Sequence, residues 1–228
     1  MLHHGSIDQF LTRVADRSVV PGIDALARTV RVTAAREVPL DRHGATLVYI
    51  ASGAAKLVAR AAVEREQVAA FNFTGDLVTV PGPGPHAYVL VALVDSELVV
   101  LPYAALRDAV RSDPAVLARL LDNCDAALGR CREKALMLGR KTASERIACF
   151  LLAMAPRIGA TSGAAILLDL PMSRRDIGDS IGLTIETVSR QFSLLRDSKL
   201  IGTEGRSKVL LLDLPGLELR AGYQQNPN

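Results

Sequence analysis

The sequence has no tryptophan, few aromatic residues (4%) and only three cysteines among its 228 residues. Three cysteines are too few for a disulfide framework, and such free thiols are typical of a reducing compartment. The longest purely apolar run, Ile147–Ala155, has nine residues, whereas a helix needs about 20 to cross a bilayer. The first ten residues lack the cationic start and apolar stretch of a secretory signal. We therefore expect a cytoplasmic protein that does not enter a membrane.

The composition is that of a folded protein with an uneven charge. Hydrophobic residues make up 49% of the chain and charged residues 22%, which excludes a disordered or collagen-like protein. The formal net charge is +3. Residues 1–110 contain ten Lys and Arg against eleven Asp and Glu, whereas residues 111–228 contain seventeen against thirteen. An anionic partner is therefore expected to bind the C-terminal half.

The first hundred residues favour β-structure. Between Ala45 and Pro102, short apolar runs alternate with turn residues, which predicts an antiparallel sandwich or barrel. Residues 81–85 (PGPGP) cannot pair in a central strand and predict a loop or a sheet edge. Two short helices are predicted before this region, at Ser6–Val14 and Asp24–Thr33. The apolar runs are Leu47–Ile50, Lys56–Ala62, Val68–Phe73, Tyr88–Val94 and Leu98–Leu101.

From about Tyr103 the apolar spacing becomes helical, and one register extends along a helix of about 30 residues. Spacings of four and three alternate, which is a heptad pattern with a narrow apolar stripe. Such a stripe fits one partner helix and favours a parallel homodimer; packing within the chain is the alternative. The stripe consists of Leu117, Leu121, Cys124, Leu128, Cys131, Ala135 and Leu138, followed by Thr142.

Two of the cysteines belong to this stripe. Cys124 and Cys131 both occupy d positions, where each would face its own copy across a parallel dimer. Symmetric disulfides are conceivable there if the β-carbons approach to about 4 Å. The alternative to this redox role is that both cysteines act as small buried apolar side chains.

Residues 170–212 predict two short helices joined by a glycine turn. Ser173 is expected to cap the first helix, Arg174–Ile181, with Asp176 three residues on as in a capping box. Gly182 ends this helix because glycine accepts the left-handed conformation that a tight exit requires.

Thr184 then caps a second helix, which extends to Asp197. Two short helices joined by a glycine-containing turn form a helix-turn-helix. A β-hairpin with Arg206 and Lys208 at its tip is expected to follow as a wing. Before the motif, a loop is predicted at Gly159–Gly163 and a short strand at Ile166–Leu170. The small core between the two helices is predicted to consist of Ile177, Ile181, Val188, Phe192 and Leu195.

Three residues of the second helix suit the reading of base pairs. Glu186, Ser189 and Arg190 lie at i, i+3 and i+4, so they share one face near the helix N-terminus, the part that enters the major groove. An arginine fork matches guanine, a carboxylate accepts from cytosine and a hydroxyl serves either role. Because phosphates repel a carboxylate, Glu186 beside an arginine favours sequence reading. The alternative is an ordinary i,i+4 ion pair on a solvated helix.

At these residues the chain resembles the Crp–Fnr family of bacterial transcription regulators. Leu170–Ile201 is similar to the family's DNA-binding domain, and Glu186–Arg190 (ETVSR) is similar to its Fnr and FixK branch. Tyr49–Leu57 and Phe71–Val78 resemble glycine turns of the family's effector-binding barrel. The resemblance implies an α+β fold: an N-terminal cyclic-nucleotide-binding-like β jelly roll (1–110), a long dimerisation helix (111–142) and a C-terminal winged helix-turn-helix (143–228).

The resemblance also implies partners and contacts. The expected partners are a second copy of the chain, double-stranded DNA and, for an activator, RNA polymerase. Glu186, Ser189 and Arg190 would contact the bases of an inverted repeat with TTGAT-like half-sites. The residues expected at the DNA backbone are Ser173, Arg174, Thr184, Thr187, Arg206 and Lys208.

The sequence departs from the family's patterns at positions that bind known signals, and these departures exclude some of the signals that the protein could sense. Members that bind cyclic AMP carry Gly-Glu and then an Arg-Ser pair that holds the phosphate, whereas Pro81–Tyr88 here contains no Lys or Arg. Because burying a phosphodiester without a cation is costly, cyclic AMP is not expected. Oxygen-sensing members hold an iron–sulfur cluster with four cysteine thiolates. This chain has three cysteines, so a four-cysteine cluster within one chain is not expected. Haem would need His43, His86 or a cysteine as a ligand, although a lone histidine is usually an ordinary side chain.

Enzyme motifs are also missing: the sequence has no nucleophile elbow, no phosphate-binding glycine loop before a helix and no HExxH. We therefore expect a protein that is not an enzyme. One alternative is a small-molecule-binding jelly roll of the cupin type, which needs clustered His and carboxylate ligands; another is an interaction module that uses the long helix. Only His86 lies near the predicted strands, with His43 just before them.

Overall fold

The structure is a computed structural model that describes residues 4–14, 22–41, 43–60, 66–111 and 113–223. The chain forms two compact units, residues 1–129 and 130–228. Their division falls inside the long helix. The three-part functional division predicted from the sequence, at 110/111 and 142/143, stays a prediction.

Within the described residues of the N-terminal unit, seven strands pair into two antiparallel sheets. One sheet has the order β1-β7-β2-β5 and the other β4-β3-β6. The strands are β1 Arg28–Val32, β2 Thr46–Ser52, β3 Ala54–Arg60, β4 Glu66–Phe73, β5 Leu77–Val80, β6 Ala87–Ala92 and β7 Ser96–Pro102. The helices that begin in this unit are α1 His4–Val14, α2 Ile23–Leu26, α3 Tyr103–Ala109 and α4 Pro114–Arg140.

Strand β2 shows how the core of this unit is built. Val48 and Ile50 pack between the two sheets with Leu57 and Leu90. Successive residues on a strand point to opposite faces, so Leu47 and Tyr49, which alternate with Val48 and Ile50, pack on the other side, against the helices. Both faces of β2 are therefore buried, as expected for an inner strand of the jelly-roll-like domain that the sequence predicts.

One prediction for this unit is wrong, and one strand was not predicted. Residues 24–33 do not form one helix: α2 ends at Leu26, and β1 pairs with β7 from Arg28 opposite Val100 to Val32 opposite Ser96. The β-branched residues of β1 send Val30 and Val32 into the core, which outweighs the local helical pattern. Strand β5, which was not predicted, pairs with β2.

Helix α4 contains 27 residues, as the heptad register predicts. The side chain of Asp113 caps its start, because Oδ1 accepts hydrogen bonds from the backbone N–H groups of Ala115 (3.0 Å) and Val116 (3.1 Å). Within the described residues, neither α4 nor any other helix combines the length and apolar character needed to cross a membrane.

In the part of the C-terminal unit that the structure describes, four further helices accompany one antiparallel sheet of order β10-β11-β9-β8. The hairpin β10–β11 is the predicted wing, and β9 extends its sheet. Residues 159–163 were expected to be a loop, but β8 pairs there with β9 although all four of its residues are exposed. The elements are α5 Ala143–Ile158, β8 Gly159–Ser162, β9 Ala165–Asp169, α6 Arg174–Ile181, α7 Ile185–Asp197, β10 Ile201–Glu204, β11 Lys208–Leu211 and α8 Leu214–Arg220.

Candidate nucleic-acid interface

Helix α6 begins at the predicted capping box. The backbone N–H of Asp176 donates to Ser173 Oγ (3.1 Å), and the backbone N–H of Ser173 donates to Asp176 Oδ2 (2.8 Å). Two amide donors at the helix start are thereby satisfied. The Ser173 hydroxyl also donates to this carboxylate (2.6 Å), so a phosphate contact by Ser173 would compete with the cap.

Two glycines define the turn between α6 and α7. Gly182 has φ +68°, in the left-handed region that favours glycine. A Cβ atom at Gly182 would also lie only 3.3 Å from Arg146 Nη1 and 3.4 Å from Leu138 Cδ2. At Gly178, a Cβ atom would approach the Leu183 carbonyl oxygen to 2.4 Å. The sharp turn therefore depends on glycine at both positions.

Thr184 caps the start of helix α7, because its Oγ1 accepts a hydrogen bond from the Thr187 backbone N–H (3.2 Å). The apolar face of α7 packs on α6 as predicted. All five residues expected in the small core are at most 4% exposed: Ile177, Ile181, Val188, Phe192 and Leu195. The orientation of this apolar face leaves the opposite side of α7 free for a ligand.

The three residues predicted to read bases are all exposed on α7. Ser189 Oγ donates to the Ile185 carbonyl one turn earlier (2.8 Å), which leaves the hydroxyl oxygen able to accept. Hydrogen bonds from its own backbone N–H and from the Thr184 hydroxyl lower the pKa of Glu186, and the positive charge of Arg175 lowers it further. Glu186 is therefore a carboxylate at neutral pH, as acceptance from cytosine requires.

Arg174 is placed differently from a free phosphate-binding side chain. Its guanidinium carbon lies 3.3 Å from the centre of the Phe192 ring, in a cation–π contact. Burial lowers the pKa of Arg174 to about 10, so it remains charged at neutral pH. Nη1 is buried without a hydrogen-bond partner among the described residues. The half-buried Arg174 packs on α7 in this conformation, and its predicted contact with a phosphate stays a prediction.

The remaining residues predicted at the DNA backbone lie at the edges of the motif. Thr184 is exposed and Thr187 is half-buried. Arg206, in the turn 205–207, and Lys208, at the start of β11, are both exposed at the wing tip.

Sequence reasoning missed Arg175, an exposed cation in the first turn of α6 whose charge acts on Glu186. The pair of arginines after Ser173 was the available signal.

The N-terminal unit contains a cavity of about 640 Å³ lined by residues 37–41, 44, 46, 80–84 and 86–90. Glu37, Asp41 and His86 contribute polar groups to it, and no Lys or Arg occurs among its described lining residues. His43 and His86 are both exposed. Across the described ranges, no three His, Cys, Asp or Glu side chains cluster closely enough to hold a metal ion.

A jelly-roll domain, a long helix and a winged helix-turn-helix with an exposed polar face on its second helix define the class of DNA-binding transcription regulators. Residues 145–220 match the Crp-like helix-turn-helix domain. The nitrogen fixation regulation protein FixK of Azorhizobium caulinodans is 32% identical over 206 residues, which cover 85% of this chain and 83% of that protein. The chain therefore belongs to the Crp–Fnr family.

Other relatives agree with this assignment. The transcriptional activator protein FnrL of Cereibacter sphaeroides is 34% identical over 177 residues, covering 76% of this chain and 71% of that protein. The structure of FixK2 from Bradyrhizobium japonicum superimposes with a TM-score of 0.74 at 30% identity and covers 85% of this chain and 96% of that one. The FixK protein of Azorhizobium caulinodans is named as a regulation protein and FnrL as a transcriptional activator. The comparison with FixK2 confirms the fold over most of the chain.

Proposed function

We propose that this protein is a homodimeric regulator that reads an inverted repeat with TTGAT-like half-sites through α7. The observation that carries the proposal is the exposure of Glu186, Ser189 and Arg190 on one face of a helix whose opposite face is buried. The first turns of such a helix enter the major groove. The similarity of the ETVSR segment to the Fnr and FixK branch supports the half-site.

The exposed apolar stripe of α4 supports dimerisation. Leu117 is 38%, Leu121 69% and Leu128 47% exposed in the single chain. A helix that repeats apolar side chains every heptad buries them against a second helix, and a parallel copy places identical residues opposite each other. Leu138 is instead half-buried near Gly182, so the stripe available to a partner ends at Ala135.

We also propose that the regulator is controlled by a signal other than cyclic AMP or a four-cysteine iron–sulfur cluster. A cavity with acidic lining groups disfavours a cyclic phosphate, because the buried anion would need a cation to pair it. If the protein activates transcription, RNA polymerase is a further partner. As a DNA-binding regulator, the protein is expected to act in the cytoplasm of a bacterium. An absorption spectrum of the purified chain tests for haem.

Selection of bound sites from random double-stranded DNA tests the function. The full chain is expected to enrich an inverted repeat whose two halves are centred about one helical turn, roughly 34 Å, apart. Light scattering should give the mass of a dimer on that site. Enrichment of no sequence, or of a single half-site bound by a monomer, would contradict the proposal.

The proposed dimer predicts how Cys124 and Cys131 in the apolar stripe of α4 respond to oxidation. Both are exposed in the single chain. Treatment of the dimer with diamide should join like cysteines across the two helices. Each disulfide releases two protons and two electrons, which the diamide N=N bond takes up. A covalent dimer is expected on a non-reducing gel, because d positions bring the two copies close together.

The matched control is Cys149, which is buried beside the end of α8, with its Sγ 3.6 Å from the Ala221 carbonyl oxygen. Cys149→Ser should leave the covalent dimer intact, whereas Cys124→Ser with Cys131→Ser should abolish it. A monomer band alone after diamide treatment of the unmodified chain would rule out the redox role.

A further inference from the structure

The side chain of Arg146, in the first turn of α5, binds the ends of two other helices. Nη2 donates to the Leu138 carbonyl (2.8 Å) and Nε donates to the Lys141 carbonyl (2.9 Å), both at the C-terminal end of α4. Nη1 donates to the carbonyls of Ile181 (3.1 Å) and Gly182 (3.4 Å), at the end of α6. One guanidinium therefore connects α4 to the turn of the helix-turn-helix.

Physical chemistry explains why an arginine occupies this place. The last carbonyls of a helix have no partner within the helix and carry the negative end of its dipole. Two such ends converge on Arg146, and a permanent positive charge stabilises both. A guanidinium offers five N–H donors in a fixed plane, whereas the three donors of a lysine ammonium spread from a single atom.

Two further contacts join the same elements. Lys134, on α4, donates a hydrogen bond to the hydroxyl of the buried Ser180 on α6 (3.1 Å). Burial lowers the pKa of Lys134 to about 8. Leu138 packs closely against the turn, because a Cβ atom added at Gly182 would lie 3.4 Å from Leu138 Cδ2. The last two turns of α4 and the end of α6 are therefore held together by polar and apolar contacts, with Arg146 at their centre.

We propose that Arg146 is a positioning residue for DNA recognition: by joining the end of α4 to the α6–α7 turn, it sets the direction in which α7 leaves that turn. The inference rests on the proposed function, because direction matters only if two copies of α7 must fit two half-sites at once. Binding of an inverted repeat requires both recognition helices at a fixed separation. Non-specific binding depends on phosphate contacts and tolerates a change in that separation.

The test compares Arg146→Gln and Arg146→Lys with the unmodified chain by fluorescence anisotropy on the selected inverted repeat and on random duplex DNA. The affinity of Arg146→Gln for the inverted repeat should fall about tenfold, with affinity for random DNA within about twofold. Arg146→Lys, which keeps the charge without the planar fork, should restore only part of the loss. Arg140→Gln is the matched control, because Arg140 is exposed at the end of α4.

Hydrogen exchange separates local positioning from general stability. In Arg146→Gln, exchange should accelerate at residues 138–141 and 178–184, whereas the amides of β9 and β11 keep their protection. Uniform acceleration, or an unchanged preference for the inverted repeat, would overturn the positioning role. If Arg146→Gln does not fold, the same two measurements on Arg146→Lys decide. If the unmodified chain itself shows no sequence preference, the proposed function fails first and the positioning role with it.

Discussion

Replacing Arg190 by alanine should weaken binding to the selected site by about 1–3 kcal/mol for each half-site. The exposed guanidinium of Arg190 lies one turn after Glu186 on the face of α7 that is free of the core. A bidentate contact to guanine is lost in the variant, and no other side chain of α7 replaces it. Preference at one base pair of each half-site should relax. Competition binding with single-base variants of the site measures both effects.

Arg206→Ala is the matched control for this experiment. Arg206 is an exposed arginine at the wing tip, where we expect it to contact phosphate. Loss of a phosphate contact weakens binding to all sequences alike and reduces the salt dependence by about one counterion for each half-site. Equal losses on the selected site and on random DNA for both variants would refute the different roles assigned to Arg190 and Arg206.

The combined substitution of Leu121→Glu and Leu128→Glu should convert the dimer into a monomer. Burial of a leucine contributes about 1.5–3 kcal/mol, and each position occurs twice in the interface. Four carboxylates facing each other add repulsion and a desolvation cost. Because Leu121 is 69% and Leu128 47% exposed in the single chain, the fold of each chain should be preserved. The dimer dissociation constant should rise by at least about a hundredfold.

Leu136 offers a control on the same helix. It is 58% exposed but lies outside the heptad stripe, so Leu136→Glu should leave the dimer intact. Light scattering over a range of concentrations measures the mass, and anisotropy on the inverted repeat measures the functional consequence. A stable dimer in the doubly substituted chain, or dissociation caused equally by Leu136→Glu, would exclude the stripe as the dimer interface.

The helix-turn-helix was predicted closely because its signals act within a few residues. The caps at Ser173 and Thr184 accept hydrogen bonds from backbone groups three positions along the chain, and the left-handed conformation of Gly182 ends α6 locally. Strands β1 and β8 were missed for the opposite reason. The exposed residues of β8 have no alternating apolar pattern, and this strand forms by pairing with β9. The structure of β1 likewise depends on β7, more than 60 residues later.

By itself, the sequence determined the boundaries of α6 and α7, the apolar stripe of α4 and the polar face that carries Arg190. Caps, glycine turns and helical periodicity are local properties that any reader of the chain can detect. Only the tertiary structure decided that Arg174 lies over Phe192 and that Arg146 reaches carbonyls 35 and 36 positions away. Such contacts depend on which distant segments come together, and no local spacing of residue types encodes that proximity.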